Sequence, residues 1–249
     1  MRAHWLSVLA ALLAGTATVS LAASPAPQPR SPSAAADRIV LLGTGGGPIA
    51  RVSRSQPASL LQVGPRTYLI DVGAGTERQI ARANMRLDMI DVVFITHLHF
   101  DHTAGLPAFI ALDWQARRRD PVPVLGPPGT QELVANSLRF LGSGEAIFAP
   151  QIPDLPPISS VFAGQDLDVT SPASIYSDGQ VTVRAVENTH YGTMHLPRRG
   201  YGRDRSYSYR FESRARTIVF TGDTGPSKSV EDLARDADVL VSEVIDLQT

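Results

Sequence analysis

Short apolar runs bounded by glycine or proline recur along most of the chain. Two of them, ASLLQV (58–63) and TYLIDV (67–72), are separated by Gly64 and Pro65, and a third, DVVFIT (91–96), is apolar from Val92 to Ile95. Runs of this length with such boundaries are typical of buried strands. The pattern therefore predicts a β-rich core in the first half of the chain.

Helical segments are predicted between and after these runs. Their apolar residues recur at helical spacing, and Thr76 stands where a capping residue of the first helix is expected. Strands that alternate with helices favour an α/β class in which helices cover the sheets. The predicted helices span 75–85, 104–119, 130–141 and 231–237, and the later strands span 181–188, 206–213, 217–222 and 238–244.

The first 37 residues differ from the rest of the chain. Residues 1–23 have one arginine, then an apolar run, then small residues, which is the layout of a signal peptide, with a single membrane anchor as the alternative. Residues 24–37 are rich in proline and alanine and indicate a linker. We therefore expect a folded domain at 38–249 in a periplasmic or secreted protein, without stable membrane insertion after signal cleavage.

Charge and cysteine content narrow the classes of function. The chain has 23 Lys plus Arg, 24 Asp plus Glu and a net charge of -1. This balance gives no general attraction for nucleic acid, so no nucleic-acid partner is expected, although a local basic patch is compatible with it. The cysteine count is 0, which excludes disulfides, thiolate metal sites and cysteine nucleophiles. A metal ion in this protein must be held by His, Asp or Glu.

A cluster of histidines directly follows the third apolar run. His97, His99, Asp101 and His102 lie within six residues, in a chain that has 6 histidines altogether. Residues 97 and 99 can point to one side of a strand-to-helix turn, and residues 101 and 102 to a neighbouring point. The spacing therefore favours two adjacent metal sites. Imidazole and carboxylate groups are suitable ligands for zinc, and iron and manganese are alternatives.

These motifs resemble those of a known family. The segment THLHFDHTAG (96–105) is similar to the H-x-H-x-D-H signature of the metallo-β-lactamase fold superfamily of metal-dependent hydrolases. LLGTGGGP (41–48) and YLIDVGAGTERQI (68–80) resemble the opening of its tRNase Z and arylsulfatase-like branch. The resemblance implies an αββα sandwich, in which two mixed β-sheets are flanked by helices.

The resemblance also implies a ligand set. His97, His99 and His190 would hold one ion, while Asp101, His102 and Asp223 would hold the second, with Asp223 bridging the two. Two zinc ions are expected, with Mn²⁺ or Fe²⁺ as alternatives. The family places a last histidine ligand further on, whereas no histidine follows His195. We therefore expect the domain to be C-terminally incomplete.

The predicted reaction is hydrolysis by an activated water molecule. The expected roles are orientation of the water by Asp101, protonation of the leaving group by His195 and binding of a charged ester by Arg198 and Arg199. The substrate is expected to be a small phosphodiester, a sulfate ester or a related ester. A phosphate-binding loop at Gly43–Gly47 is rejected because no Lys-Ser/Thr pair follows it.

Two other functions stay open at this point. One is a β-lactamase of the subclass without a cysteine ligand. The other is a non-catalytic metal-binding protein that has lost its final ligand. The sequence does not set the oligomeric state, and a dimer is compatible with it.

Overall fold

The computed structural model describes residues 37–47, 49–116 and 118–244. The predicted signal peptide and almost all of the predicted linker lie outside the described residues. Within the described part, two β-sheets face each other, and helices cover their outer faces.

The first sheet has six strands in the order β1-β2-β3-β4-β5-β6. Its first three strands pair antiparallel, and β3 to β6 pair parallel, so the sheet is mixed. The strands are β1 (Arg38–Gly43), β2 (Ala58–Val63), β3 (Arg66–Ile70), β4 (Val92–Phe94), β5 (Val122–Gly126) and β6 (Phe162–Asp166).

The second sheet has five strands in the order β11-β10-β9-β8-β7. It is antiparallel from β7 to β10, and β11 joins β10 in parallel. The strands are β7 (Ala173–Ser177), β8 (Val181–Glu187), β9 (Tyr207–Ser213), β10 (Thr217–Phe220) and β11 (Val239–Val241).

The helices follow the predicted order but differ in their bounds. The helix predicted at 104–119 is shorter, at Leu106–Gln115, and a separate helix of 4 residues, Phe100–Thr103, precedes it where none was predicted. Thr76 is the first residue of its helix rather than its cap, and its hydroxyl donates to the Gly73 carbonyl oxygen. The helices are α1 (Thr76–Arg82), α2 (Phe100–Thr103), α3 (Leu106–Gln115), α4 (Thr130–Phe148), α5 (Ile158–Val161) and α6 (Lys228–Leu233), and 3₁₀ turns span Leu87–Met89 and Ala149–Gln151.

Successive residues of the first sheet face two different cores, which explains the continuous apolar runs. Leu69 and Val93 pack towards the helices α3 and α4, whereas Tyr68 and Phe94 point into the space between the sheets. Phe94 lies 5.1 Å from Phe211 of the second sheet, centroid to centroid. On the outer face of the second sheet, Val219 packs against α6. The layers therefore confirm the predicted αββα sandwich of two mixed sheets.

No helix among the described residues is long and apolar enough to cross a bilayer.

Candidate metal centre

The clustered histidines lie where the two sheets meet at one end of the sandwich. His97 and His99 follow β4 of the first sheet, and His102 lies in α2. His190 follows β8, and Asp223 follows β10, so these two residues belong to the second sheet. Near this end the Tyr207 N–H donates to the Thr96 carbonyl oxygen at 2.8 Å, which joins the two sheets.

Three imidazole rings converge on one point. His99 Nδ1 lies 3.1 Å from His97 Nε2 and 3.0 Å from His190 Nε2. The ligand atoms of all three rings lie within 4.8 Å of one another. The structure thus brings together, from both sheets, the three residues that the resemblance assigned to one ion.

A second group of side chains adjoins the first. His97, His102 and Asp223 also have their ligand atoms within 4.8 Å of one another. His102 Nε2 lies 3.2 Å from Asp223 Oδ1 and 3.8 Å from Asp101 Oδ2. Asp101 Oδ2 accepts a hydrogen bond from the Gly47 N–H at 2.9 Å. All six predicted ligands are therefore close together, with the residues proposed for the second ion grouped around His102.

The positions of the polar atoms in this site suit the ligands of a bound cation better than they suit hydrogen bonds between these side chains. A neutral imidazole has one N–H and one lone pair, so His99 Nδ1 cannot form good hydrogen bonds with two other ring nitrogens at once. His102 Nε2 is buried and has no hydrogen-bond partner of good geometry among the described residues. Tetrahedral zinc with Zn–N distances of about 2.0–2.1 Å separates its ligand nitrogens by roughly 3.3 Å, close to the spacing of these rings.

The electrostatics of the cluster keep its ligand atoms available. Burial, reinforced by the neighbouring histidines, holds the pKa of His97 far below its usual value. Burial also lowers the pKa of His190, against the opposing effect of Asp223. Burial opposes ionisation of Asp223, but His102 outweighs it and lowers the pKa of that carboxyl. Lone pairs and negative charge are therefore directed at one volume, as a divalent cation requires.

Asp71 supports the site from behind, and sequence reasoning did not assign it a role. Its carboxylate accepts hydrogen bonds from the Thr96 N–H at 2.7 Å and from the Thr96 hydroxyl, and it lies 2.8 Å from His102 Nδ1. Burial opposes protonation of His102, but Asp71 and Asp223 outweigh it and raise the pKa of this ring to about 10. The sequence shows only an aspartate at the end of an apolar run, and the structure places this residue in the left-handed region at φ 59.

Two glycines allow the loops below the site to approach closely. A Cβ atom on Gly105 would lie 2.2 Å from the Gly73 carbonyl oxygen, and one on Gly73 would lie 2.3 Å from the Asp101 carbonyl oxygen. Side chains at these positions would push the loop after β3 away from α2. Glycine is therefore needed here for close backbone approach.

Two further residues beside the metal centre were not given a role from the sequence. The Tyr191 ring lies 5.2 Å from the His99 ring and 5.8 Å from the His97 ring, and its hydroxyl accepts the Leu98 N–H at 3.2 Å. The Glu243 carboxylate accepts the Thr224 N–H, and burial raises its pKa. Tyr191 directly follows His190 in the chain, and this adjacency is the signal that could have found it.

The other predicted site residues are more exposed. His195 is exposed, and it belongs to neither group of clustered ligand atoms. Arg198 is exposed, and the Arg199 side chain is 54% exposed with Asp204 Oδ2 3.9 Å from its Nε. The structure therefore separates the six clustered ligands from a less buried loop that carries His195 and the two arginines.

The fold is an αββα sandwich of two mixed sheets, and a cluster of histidines and aspartates lies where the sheets meet. This combination is typical of the class of metal-dependent hydrolases that the sequence suggested. The chain belongs to the beta-lactamase superfamily, because a family model described as "Beta-lactamase superfamily domain" matches residues 66–247. Ribonuclease Z of Mycobacterium bovis is 33% identical over 212 residues, which cover 83% of this chain and 70% of that protein. Ribonuclease Z of Mycolicibacterium gilvum is 29% identical over 213 residues, covering 83% and 68% respectively.

Solved structures show the same fold. Human short-form tRNase Z has a TM-score of 0.63 and 23% identity, covering 82% of this chain and 76% of that one. The metallo-β-lactamase fold protein YhfI from Bacillus subtilis has a TM-score of 0.59 and 17% identity, covering 82% and 69%. The family match and the ribonuclease Z relatives, rather than these structures, identify the chain as a metal-dependent hydrolase and argue against the non-catalytic alternative.

The comparisons correct two predictions made from the sequence. The prediction that the substrate is a small ester is wrong, because the relatives are named ribonuclease Z. The expectation of no nucleic-acid partner is wrong for the same reason. It failed because net charge averages over the whole surface, whereas nucleic-acid binding depends on local groups near a site. The names of the two ribonuclease Z relatives give no support to the alternative that the protein hydrolyses β-lactams.

Proposed function

We propose that the protein is a zinc-dependent ribonuclease that hydrolyses a phosphodiester bond in RNA, with a tRNA precursor as the substrate class. The observation that carries the proposal is the convergence of His97, His99 and His190 beside His102 and Asp223 in a chain whose relatives are named ribonuclease Z. A site with two divalent cations suits phosphodiester hydrolysis because negative charge increases on the phosphate in the transition state.

The ligands divide between two ions. His97, His99 and His190 would hold one ion, and Asp101 and His102 would hold the other. Asp223 would contribute to both, since its carboxylate lies 3.2 Å from His102 Nε2 and also belongs to the group containing His97. When bound, such ions lower the pKa of a water molecule and neutralise charge on the phosphate.

The remaining chemistry falls to residues at the edge of the site. The Gly47 N–H fixes one oxygen of Asp101, so this carboxylate is held in a position to orient an attacking water molecule. Glu243, held by the Thr224 N–H next to Asp223, is better placed than the exposed His195 to supply a proton to the leaving group. Arg198 and Arg199 are the proposed contacts to RNA phosphates.

The test is cleavage of a tRNA precursor that carries a 3′ extension, using the full chain loaded with zinc. We expect cleavage that a chelator abolishes and added zinc restores. Asp101→Ala should lower kcat by about 100-fold or more. His195→Ala is the matched control and should keep the parent rate, because His195 is exposed and outside the clustered ligands. Intact precursor after incubation with the zinc-loaded parent would contradict the proposal.

The location of the protein is a separate proposal. A periplasmic or secreted location depends on residues 1–23, which lie outside the described residues. Fractionation of cells that express the full chain, with a deletion of residues 1–23 as the control, would test it.

A further inference from the structure

Five arginines lie between His190 and Phe211, and the structure gives most of them structural partners. Arg203 and Arg205 both bond the Glu187 carboxylate, at 2.6 Å and 2.7 Å. Arg210 donates to Glu212 Oε1 at 2.9 Å and to the carbonyl oxygens of Leu233, the last residue of α6, and Arg235. These three cations are neutralised within the protein. Arg198 and Arg199 are the members of the group with the greatest freedom to meet a ligand.

A tight hairpin presents this pair of arginines. Arg199 and Gly202 exchange two backbone hydrogen bonds, each 3.1 Å long, and Gly202 has φ +106. Arg198 is exposed, and Arg199 forms a long ion pair of 3.9 Å with Asp204. The backbone of the hairpin is therefore defined by its own hydrogen bonds, while the side chains of Arg199 and of the preceding Arg198 are exposed.

Tyr201 at the turn fixes this hairpin beside the metal centre. Its ring packs over Gly129, where an added Cβ would lie 2.9 Å from Tyr201 Cζ and 2.8 Å from Leu98 Cδ1. Its hydroxyl donates to Asp204 Oδ1 at 2.9 Å. Leu98 stands between the metal-centre residues His97 and His99. The Tyr201 ring therefore holds the hairpin against the segment that carries these ligands.

We propose that Tyr201 is a positioning residue that anchors the hairpin 199–202, so that Arg198 and Arg199 hold backbone phosphates of an RNA strand next to the scissile bond. The inference rests on the proposed function and adds a binding subsite to it. Guanidinium groups match phosphate oxygens in a bidentate way, and a fixed loop loses less entropy on binding than a mobile one. Recognition at this subsite would depend on the RNA backbone rather than on base identity.

The test measures how RNA binding depends on salt. Affinity for a single-stranded RNA oligonucleotide is measured by fluorescence anisotropy at several salt concentrations, in an Asp101→Ala background so that the RNA stays intact. Each phosphate contact to a single strand contributes about 0.7 to the slope of log Kd against log salt. Replacing both Arg198 and Arg199 with alanine should therefore reduce the slope by about 1.4.

The decisive variant is Tyr201→Ala, which removes no charge. If Tyr201 positions both arginines, this substitution should reduce the slope nearly as much as the double arginine variant does. Tyr201→Phe keeps the ring over Gly129 and should restore the parent slope. Gly129→Ala disturbs the same contact without changing Tyr201, because the added Cβ would displace the tyrosine ring. This variant should therefore also reduce the slope.

Controls separate this inference from the function on which it rests. Arg214→Ala removes an exposed arginine just beyond β9, at the opposite end of that strand from the hairpin, and should leave the slope unchanged. A parent slope that persists in Tyr201→Ala and Gly129→Ala would overturn the role of Tyr201 while leaving the proposed function intact. A parent protein that binds no RNA would overturn both.

Discussion

The Asp71 carboxylate lies 2.8 Å from His102 Nδ1, and both side chains are buried. The Thr96 N–H and hydroxyl donate to the same carboxylate, so it acts as the acceptor for the His102 ring. With the Nδ1 proton held by Asp71, Nε2 would be the nitrogen that gives up its proton and binds a metal ion. Asp71 thereby selects the tautomer in which His102 can bind a metal ion.

Asp71→Asn should weaken metal binding without unfolding the chain. The amide can still accept from Thr96, but its NH₂ group then faces His102 Nδ1 and favours the tautomer with the proton on Nε2. Loss of such a supporting partner typically lowers metal affinity by about 10–100-fold. Zinc affinity is measured by competition with a chromogenic chelator. The control variant is Asp91→Asn, which changes a buried aspartate near the opposite end of β3 and should leave zinc affinity unchanged. Equal zinc affinities for the two variants would contradict the supporting role of Asp71.

Asp113 should make the stability of the protein depend on pH. Its side chain is fully buried in α3, and neither carboxylate oxygen has a hydrogen bond among the described residues. Burial raises the pKa of this carboxyl to about 7, although Arg118 opposes the shift. Between pH 4 and 7 the unfolded chain ionises at this position while the folded chain keeps the proton, so stability is lost as the pH rises. The loss is on the order of a few kcal/mol, at about 1.4 kcal/mol per pKa unit.

Asp113→Asn should remove this loss, so that its free energy of unfolding exceeds that of the parent increasingly from pH 4 to pH 7. Denaturant unfolding in the presence of a chelator measures the difference without a contribution from metal. Asp178 provides a contrast, because hydrogen bonds from Tyr68 and other donors outweigh burial and lower the pKa of its carboxyl. Asp178→Asn should be destabilising at neutral pH, with the difference shrinking on acidification. Parallel pH profiles for Asp113→Asn and the parent would exclude a titrating Asp113.

Gly105→Ala should reduce both stability and metal binding. Its Cβ would overlap the Gly73 carbonyl oxygen, so the loop after β3 must move away from α2. Overpacking of this kind typically costs about 1–3 kcal/mol. Gly144→Ala in α4 is the matched control, because its Cβ would meet nothing within 4 Å. It should stabilise the protein by about 1 kcal/mol, since alanine is the better helix former. Thermal unfolding and zinc titration of both variants would show whether stability and zinc binding depend on the close approach of the loop after β3 to α2.

The sequence was most informative where metal-ligating residues directly follow a buried strand. His97, His99, Asp101 and His102 were predictable because a strand buried on both faces gives an unbroken apolar run, and polar ligands directly after it stand out. His190 was found by combining a strand pattern with the family resemblance. The strand and helix pattern predicted an α/β class, the family resemblance implied the αββα sandwich, and the structure confirms both.

Other features depend on contacts between distant segments and left weaker signals. The strands β6 and β7 were not predicted, since their residues are partly exposed and lack a clear apolar run. Asp71 reaches His102 across 31 positions, and nothing local to Asp71 indicates that contact. Sequence alone does not show which arginines after His190 are neutralised, because Arg203 and Arg205 pair with Glu187, which lies 16 and 18 positions earlier in the chain.

The ligands of the metal centre come from both halves of the sandwich: His97, His99 and His102 belong to the first sheet, and His190 and Asp223 belong to the second. A bound ion therefore links the sheets, and they cannot separate without releasing it. Each tenfold rise in free ion concentration above the dissociation constant then adds about 1.4 kcal/mol to the free energy of unfolding. The resistance of this protein to unfolding and degradation would accordingly follow the supply of metal in its surroundings.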